Sequence, residues 1–521
     1  MKLKAGITAL VFFVISSGVF AQQNQLISIH RDVYSYIKKM QQRGKMLSLN
    51  PTSQPYTQRE VSDALKELDG TNLSELETFW KEQIESEIKV QEKKTENDKG
   101  IYASIRIDGD VRLKNYRRPE AYRPLNDKLF FPTKAQGEAY FEHGIFGGQL
   151  GSAHIPYYST DLDGIRPQGT LSIRNEFYYF GIQHGLFKVY VGRFANNWGL
   201  HGEGSAILSD NPAPYDQFNF SFGNSRASVQ SILGELDNLA PNGEFRMGKI
   251  YDGTRRFITT QRFNWRPSLN TQVVLFFSAI YAGENANTSL KYLNPFNILF
   301  SDRTNYPENE DTNMLFGGSL WGNFGRFNLH GQLIIDDFHS RDNNERMTGS
   351  LIGGMRLNEL FRNTDVGLNA EIISYQSYNV STTTETRYVY AKRGLATQFN
   401  DYIYVTTFSE IYAQKLATGL IIEPRISLLF QGEQTINQPF YGNNPDGSLP
   451  NLVLTGTVET TLRNSIRIFY NPSRKFWIDS ELGYNIYNNM ENVEGATGND
   501  LTFQVGFGFP IFFDGRINNP D

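Results

Sequence analysis

The chain has 521 residues, with 50 Lys+Arg against 55 Asp+Glu and a formal net charge of −5. That balance excludes a nucleic-acid binder working by bulk positive charge. A charged content of 20% is too low for a solvated tail or a charge-laced coiled coil. The mean hydropathy of −0.43 excludes a bundle of transmembrane helices. The 38 Phe, 28 Tyr and 46 Gly read as a β composition, because aromatic side chains favour strands. There is no cysteine, so a thiol nucleophile, a thiolate zinc site, a disulfide framework and a lipoprotein anchor are all excluded.

Residues 1–21 have the layout of a secretory signal peptide: Lys2 and Lys4, an apolar stretch from Ala5 to Val19, then Val19-Phe20-Ala21 as a small-x-small cleavage site. The expected mature chain starts at Gln22. Its first part, 22–100, reads as a small periplasmic helical region and linker. Leu26, Ile29, Val33, Tyr36, Ile37 and Met40 recur at helical spacing. Thr57 and Glu60 fit a capping box before Val61, Ala64, Leu65 and Leu68. Ser74-Glu75 opens a third helix carrying Leu76, Phe79, Trp80, Ile84 and Ile88. Three short amphipathic helices lack the apolar mass for a large core of their own, so they are expected to pack on something else.

From Ile101 onward the period changes to two. Ile105, Ile107 and Val111 alternate with Arg106, Asp108, Asp110 and Arg112. Leu171, Ile173, Phe177 and Tyr179 alternate with Ser172, Arg174 and Glu176. Leu462, Ile466 and Ile468 alternate with Thr461, Arg463 and Arg467, and Ile478, Leu482 and Ile486 with Asp479, Glu481 and Asn485. Leu501, Phe503, Val505, Phe507 and Phe509 close the series. These runs are about nine to thirteen residues long, the length of a tilted membrane-spanning strand, and they carry formal charges at mid-strand. Residues 101–521 therefore read as an all-β transmembrane barrel: apolar face to lipid, charged face to a wet lumen, every amide paired around the ring. At roughly 23 residues per strand and connection, the stretch predicts about 18 antiparallel strands. Pro510 to Asp521 reads as an extension beyond the last strand.

Little in the chain resembles catalytic machinery. None of the seven histidines forms a helical H-x-x-x-H pair, and no G-x-S-x-G elbow occurs. Asp336-Asp337 with His339 offers a carboxylate–imidazole grouping, but Ile335 ends a strand and the acids fit its polar rim. No catalytic, metal or cofactor site is assigned, and the chain is expected not to be an enzyme. The most distinctive segment runs from Val191 to Phe220. Arg193, Asn196, Asn197, Trp198, His201 and Ser209 combine an indole with amides and a guanidinium, the side chains that stack on sugar faces and bond hydroxyls. The alternative is a rigid turn packed inside the barrel, and spacing leaves both open.

The same residues carry a resemblance. Gly192-Arg193, Asn197-Trp198-Gly199, Ile207-Leu208-Ser209 and Asn211-Pro212-Ala213-Pro214 resemble the signature of the Wzi-like capsule assembly family. Gln261-Arg262-Phe263, Ala279-Ile280-Tyr281, Leu293-Asn294-Pro295-Phe296 and Ile335-Asp336-Asp337 follow in the matching order. Leu200 and Gln261 stand where the family is expected to have proline and histidine. The resemblance implies an outer-membrane barrel of about 18 strands with a periplasmic helical part. It implies a non-enzymatic lectin that binds capsular polysaccharide or exopolysaccharide and helps attach it to the surface of a Gram-negative cell. The expected partners are that glycan, outer-membrane lipid and the polysaccharide export machinery, with the protein itself a monomer and no nucleic acid bound. A porin-like channel for sugars or small anions is the competing reading, since the same strands serve both.

Overall fold

A computed structural model of the protein describes residues 24–88, 101–116, 129, 131, 133–154, 173–239, 245–246, 254–283, 286–297, 311–336, 347–381, 384–440, 448–473 and 475–517. The expected signal peptide lies outside the described residues. Eighteen strands form one antiparallel sheet. They are β1 (Ile101–Lys114), β2 (Lys134–His143), β3 (Phe146–His154), β4 (Ile173–His184), β5 (Phe187–Arg193), β6 (Asp216–Gly223), β7 (Ala227–Glu235), β8 (Arg255–Ser268), β9 (Thr271–Gly283), β10 (Asp311–Phe324), β11 (Phe327–Ile335), β12 (Gly349–Phe361), β13 (Thr364–Ile373), β14 (Tyr402–Tyr412), β15 (Leu420–Gln431), β16 (Glu459–Ser473), β17 (Phe476–Asn488) and β18 (Thr497–Ile517). Each strand pairs with its sequence neighbours, and β1 pairs with β18 from Ile101↔Ile517 to Lys114↔Gln504, so the sheet is a closed ring. Closure leaves no unpaired edge, which is the condition for strands to sit in hydrocarbon.

Strands join alternately by tight turns and long connections. Gly144, Gly185 and Gly325 open two-residue turns at φ of 59°, 56° and 70°, a conformation that turns matching the strand twist require and that glycine adopts without steric cost. The expected facing holds over most of the ring. Ile105 (50% exposed), Val111, Leu482 and Val505 stand on the outer surface, whereas Glu138, Arg463 and Asp479 are buried inside. Inward charges are paired: Arg106 with Asp108 at 2.7 Å, Arg112 with Asp110 at 3.0 Å, Arg467 with Asp479 at 2.7 Å, and Arg463 with Glu481.

Two expectations need correction. In β4 the alternation slips: the register jumps between Gly151↔Phe177 and Ser152↔Asn175, a bulge at Glu176. Ile173 is therefore outward and exposed while Phe177 and Tyr179 turn inward and are buried. Leu171 lies outside the described residues. At the other end, Pro510 does not leave the sheet. It sits within β18 opposite Asp108, and pairing continues to Ile517.

The helical region holds α1 (Val33–Gln42), α2 (Gln58–Lys66) and α3 (Glu75–Ile88). The first helix begins later than its apolar spacing predicts, because Leu26 instead bridges Thr57 in an extended entry segment. Thr57 and Glu60 form the capping box, and Ser74 and Glu77 exchange the same pair of bonds at 2.8 and 3.3 Å. The helices share a core, including Trp80 and Met40, that extends to Tyr412 of β14. They fill the short-turn end of the barrel. The carbonyl of Gln42, an orphan acceptor at the C-terminus of α1, accepts from Asn323, Asn328 and Asn358 of the wall at 2.7, 3.0 and 2.6 Å. Lys39 and Arg356 share the carboxylate of Glu410, Arg43 meets Asp365 at 3.1 Å, and Arg31 spans Glu87 and Glu138 at 2.8 and 2.5 Å.

Removing the charge of Glu410 leaves two cations short of their shared anion, and breaking a buried pair costs about 3–5 kcal/mol. Glu410→Gln is expected to leave a heat-modifiable barrel on unheated gels while exposing α1–α3 to trypsin. Wild-type protection of the helices would show that this cluster does not dock them.

Candidate functional site

An 18-strand ring of porin size leaves an aqueous lumen unless something occupies it. Here the chain occupies it twice. The first occupant is residues 194–215, between β5 and β6. Asn197 bridges Gln54 through both backbone bonds, at 3.0 and 3.1 Å, and its side chain accepts from Gly199 N–H at 2.7 Å. A Cβ on Gly199 would stand 2.7 Å from the Gly204 carbonyl, so the turn closes only around glycine. The Trp198 backbone N–H donates to the Leu208 carbonyl at 2.9 Å, its carbonyl accepts from Gln332 at 2.7 Å, and the Arg262 guanidinium stands 5.6 Å from its ring.

The second occupant is residues 374–401, between β13 and β14. Tyr378 and Tyr388 reach across to the first, donating to the carbonyls of Ala206 and Ile207 at 2.7 and 2.9 Å. Arg256 of β8 pins this segment: it pairs with Asp237 at 3.0 Å and donates to the carbonyls of Arg387 and Val389 at 2.7 and 3.0 Å. Beneath both, the wall from β7 to β13 turns apolar residues inward, among them Ile232, Ile258, Phe276, Ile334 and Ile352. The inner face is thus polar on one side and a dry core on the other. Alternation alone had implied a wet interior all round.

The helices latch the first segment from below. Lys38 donates to the His201 carbonyl at 2.7 Å and meets Glu203 at 3.3 Å, while His330 of β11 holds the second Glu203 oxygen at 2.9 Å. Burial alone would raise the Glu203 carboxyl, but the charges of His330 and Lys38 overcome it and hold Glu203 well below the usual carboxylate range. Burial pushes His201 down to about 3, so its ring is neutral and stacks on Tyr34 at 5.5 Å.

The structure separates the residues of the distinctive segment. Arg193 pairs in register with Tyr178, next to the exposed pair Phe180↔Val191. It therefore projects from the outer face, where it meets Asp216 at 2.5 Å. Asn196, Asn197 and Trp198 lie inside the barrel. Asn196 bonds Gln217 at 2.7 Å, and the Trp198 ring is fully buried, with no face open to a saccharide. His201 is held between Tyr34 and Lys38, and Ser209 bonds the backbone of Leu395 at 2.9 Å. From Asn196 to Ser209 the segment is packed within the barrel. Asp336 is buried and accepts from the Tyr378 N–H, whereas Asp337 and His339 lie outside the described residues. Among the described residues no His/Asp/Glu grouping fits a metal ion. The Leu293-Asn294-Pro295-Phe296 motif forms a strap on the outer face of β8. Thr259 and Gln261 donate to the carbonyls of Tyr292 and Asn294 at 2.7 and 2.9 Å, and Phe296 is 75% exposed. Sequence reading missed the second luminal segment entirely. Its only signal is a long inter-strand stretch dense in Tyr, Asn and Thr.

Truncating a buried indole costs about 3–5 kcal/mol. Trp198→Ala is expected to keep the strand content by circular dichroism and to open residues 194–215 to limited proteolysis. A wild-type cleavage pattern would show that the ring does not hold the luminal segment.

No family model and no curated protein matches the sequence. Among solved structures, the chain is similar to Wzi of Escherichia coli, an outer membrane protein involved in group 1 capsule assembly and described as a carbohydrate binding β-barrel. Identity is 14%, the TM-score is 0.65, and 93% of this chain and 99% of that one are covered. OccD3 (OpdP) of Pseudomonas aeruginosa matches at 11% identity and a TM-score of 0.46, over 80% of this chain and 92% of its own. A BenF-like porin from Pseudomonas fluorescens matches at 8% and 0.44, over 79% and 99%. The protein is a closed eighteen-stranded barrel of the outer-membrane kind, with a Wzi-like fold.

Proposed function

We propose that the protein is a non-enzymatic outer-membrane lectin that binds capsular or another surface polysaccharide and helps attach it to the cell surface. The observation that carries this reading is the double filling of the lumen. Two chain segments zipped together through Tyr378 and Tyr388, over an apolar inner wall and a helical floor, leave the surface of the barrel as its working part. The carbohydrate binding described for Wzi, whose fold this chain shares, supports the same reading. Because Trp198 and its neighbours are internal, the polymer meets the long-connection end of the barrel, which those residues stiffen from within. A repeating glycan needs no deep pocket there, because many weak contacts along one chain multiply into retention.

The test is a deletion strain in which cell-bound and released polysaccharide are measured separately. The expected result is a shift of glycan from the cell to the medium with total synthesis unchanged, restored by the intact gene. Unchanged partition would remove the attachment role. In planar bilayers the purified protein is expected to be electrically silent, and steady porin-sized conductance would favour the channel.

A further inference from the structure

One cavity lies apart from the luminal segments. It has a volume of about 280 Å³ and sits where α3 and the start of α1 face the barrel seam formed by β16–β18, β1 and β2. That volume is near the lower bound of small-molecule sites, about 300–1,000 Å³. Its three guanidinium groups are paired within it: Arg106 with Asp108 and Glu87, Arg112 with Asp110, and Arg31 with Glu87 and Glu138. With Lys134 and Asp32, which also line it, four cations face five carboxyls, so no cationic surplus calls for an anion.

What remains is uncharged hydrogen-bonding capacity. Asn471 is 5% exposed, and its Oδ1 is buried without a hydrogen-bond partner; so is the Nε of Arg31. Asn471 Nδ2 meets the Asp32 carboxylate at 3.4 Å, and burial, outweighing the nearby Arg467 and Arg112, pushes that carboxyl up to about 6. An orphaned buried polar group costs about 1–3 kcal/mol, so a cavity that keeps one acceptor and one donor unsatisfied is suited to a ligand bearing both donors and acceptors. The last lining element is aromatic. Trp477 turns inward and lies along the wall over Gly506 and Gly508. A Cβ on Gly508 would overlap its ring, and one on Gly506 would stand 3.3 Å away. The two glycines let the indole lie against the wall, with the Arg112 guanidinium 5.0 Å from its centre.

We propose that this cavity is a binding site for one neutral pyranose unit, with Trp477 as the stacking platform and Asn471, Asp32 and Arg31 bonding its hydroxyls. Hydroxyls donate and accept at once, which meets the mixed set of unsatisfied atoms, and an uncharged ring leaves the existing ion pairs intact. The site lies at the helix-filled end, opposite the long connections, so it reads a free sugar or glycan end arriving on that side. It is argued from its own lining and does not depend on the surface-attachment reading.

The experiment uses the full-length protein in detergent, titrated with the methyl pyranosides of glucose, galactose and mannose, and with glucuronate, by saturation-transfer NMR and calorimetry. Saturable binding of at least one neutral glycoside is expected, with Kd of about 1–10 mM. Asn471→Ser and Trp477→Leu should each weaken it by about fivefold or more, the scale of one lost contact. Trp265→Phe, on the outer face, should leave it unchanged. Trp477→Phe, which keeps a ring on the glycines, should retain part of the affinity and so guards against a folding defect. The proposal is overturned by no saturable signal from any neutral glycoside up to about 100 mM. It is equally overturned by binding indifferent to both lining substitutions, or by saturation with glucuronate alone. A deletion strain that keeps its surface polysaccharide would sink the attachment role and leave this site standing.

Discussion

The hydrogen-bonded closure between β1 and β18 is the constraint from which the rest follows. In hydrocarbon an unpaired backbone group costs several kcal/mol, so a sheet there must return to its first strand. Fourteen residues of β1, Ile101 to Lys114, find partners on β18, and this pairing is why β18 runs on through Pro510. Proline gives up one donor at a single position opposite Asp108, while the strand keeps pairing on either side of it. A shorter last strand would have left the start of β1 as an open edge at the end where the helices enter.

Closing eighteen strands creates a second problem, because the ring encloses more space than its own inward side chains can fill. The protein solves it in three layers with different chemistry. At the short-turn end the helices dock through buried charge clusters and through three asparagines that satisfy the last carbonyls of α1. In the middle, residues 194–215 and 374–401 are joined by tyrosine hydroxyls and covered by Ile232, Ile258, Phe276 and their neighbours. On the seam side the inward charges pair with one another and keep some water-sized space. The layers are mechanically connected: Lys38 and Gln54 of the helical region both hold the first luminal segment. A displacement of the helices would therefore be felt by the chain that stiffens the opposite end.

The strands were legible because a period of two and a length near ten residues are set by backbone geometry and bilayer thickness, both local properties. The same holds for Thr57 with Glu60, whose reciprocal bonds span three residues. The Glu176 bulge was not legible, since one extra residue leaves the composition of β4 unchanged and is visible only against β3. The interior was also hidden. Alternation says which face a residue occupies, but nothing about what fills the space that face looks into. Arg193 and Trp198 are five positions apart and stand on opposite sides of the wall, because β5 ends between them and the chain turns inward. An indole among amides reads the same whether it stacks on a sugar or carries Leu208, Gln332 and Arg262 around it. Only tertiary contacts, such as the one with Gln332, 134 residues away, separate the two.

That ambiguity bears on how a glycan-binding barrel of this kind is built. Side chains selected to hold a luminal segment, such as asparagine, arginine and tryptophan, are also those selected to hold a saccharide, because both tasks require satisfying many polar groups around an aromatic ring. The distinguishing property is whether the ring and its unspent hydrogen-bonding capacity border open space. Around Trp198 the backbone N–H and carbonyl, the amide of Asn197 and the carboxylate of Glu203 have partners within the chain, while the indole Nε1 and the Arg262 Nε are sealed in the core without one. Around Trp477 the oxygen of Asn471 and the nitrogen of Arg31 are left over as well, and these side chains and the indole line a cavity. Capacity sealed in a core serves the scaffold alone, and unspent capacity on a cavity, beside a ring laid against glycine, is what a ligand can use. By that criterion Trp477, which its sequence surroundings did not single out, is better placed to meet a ligand than the core-bound Trp198.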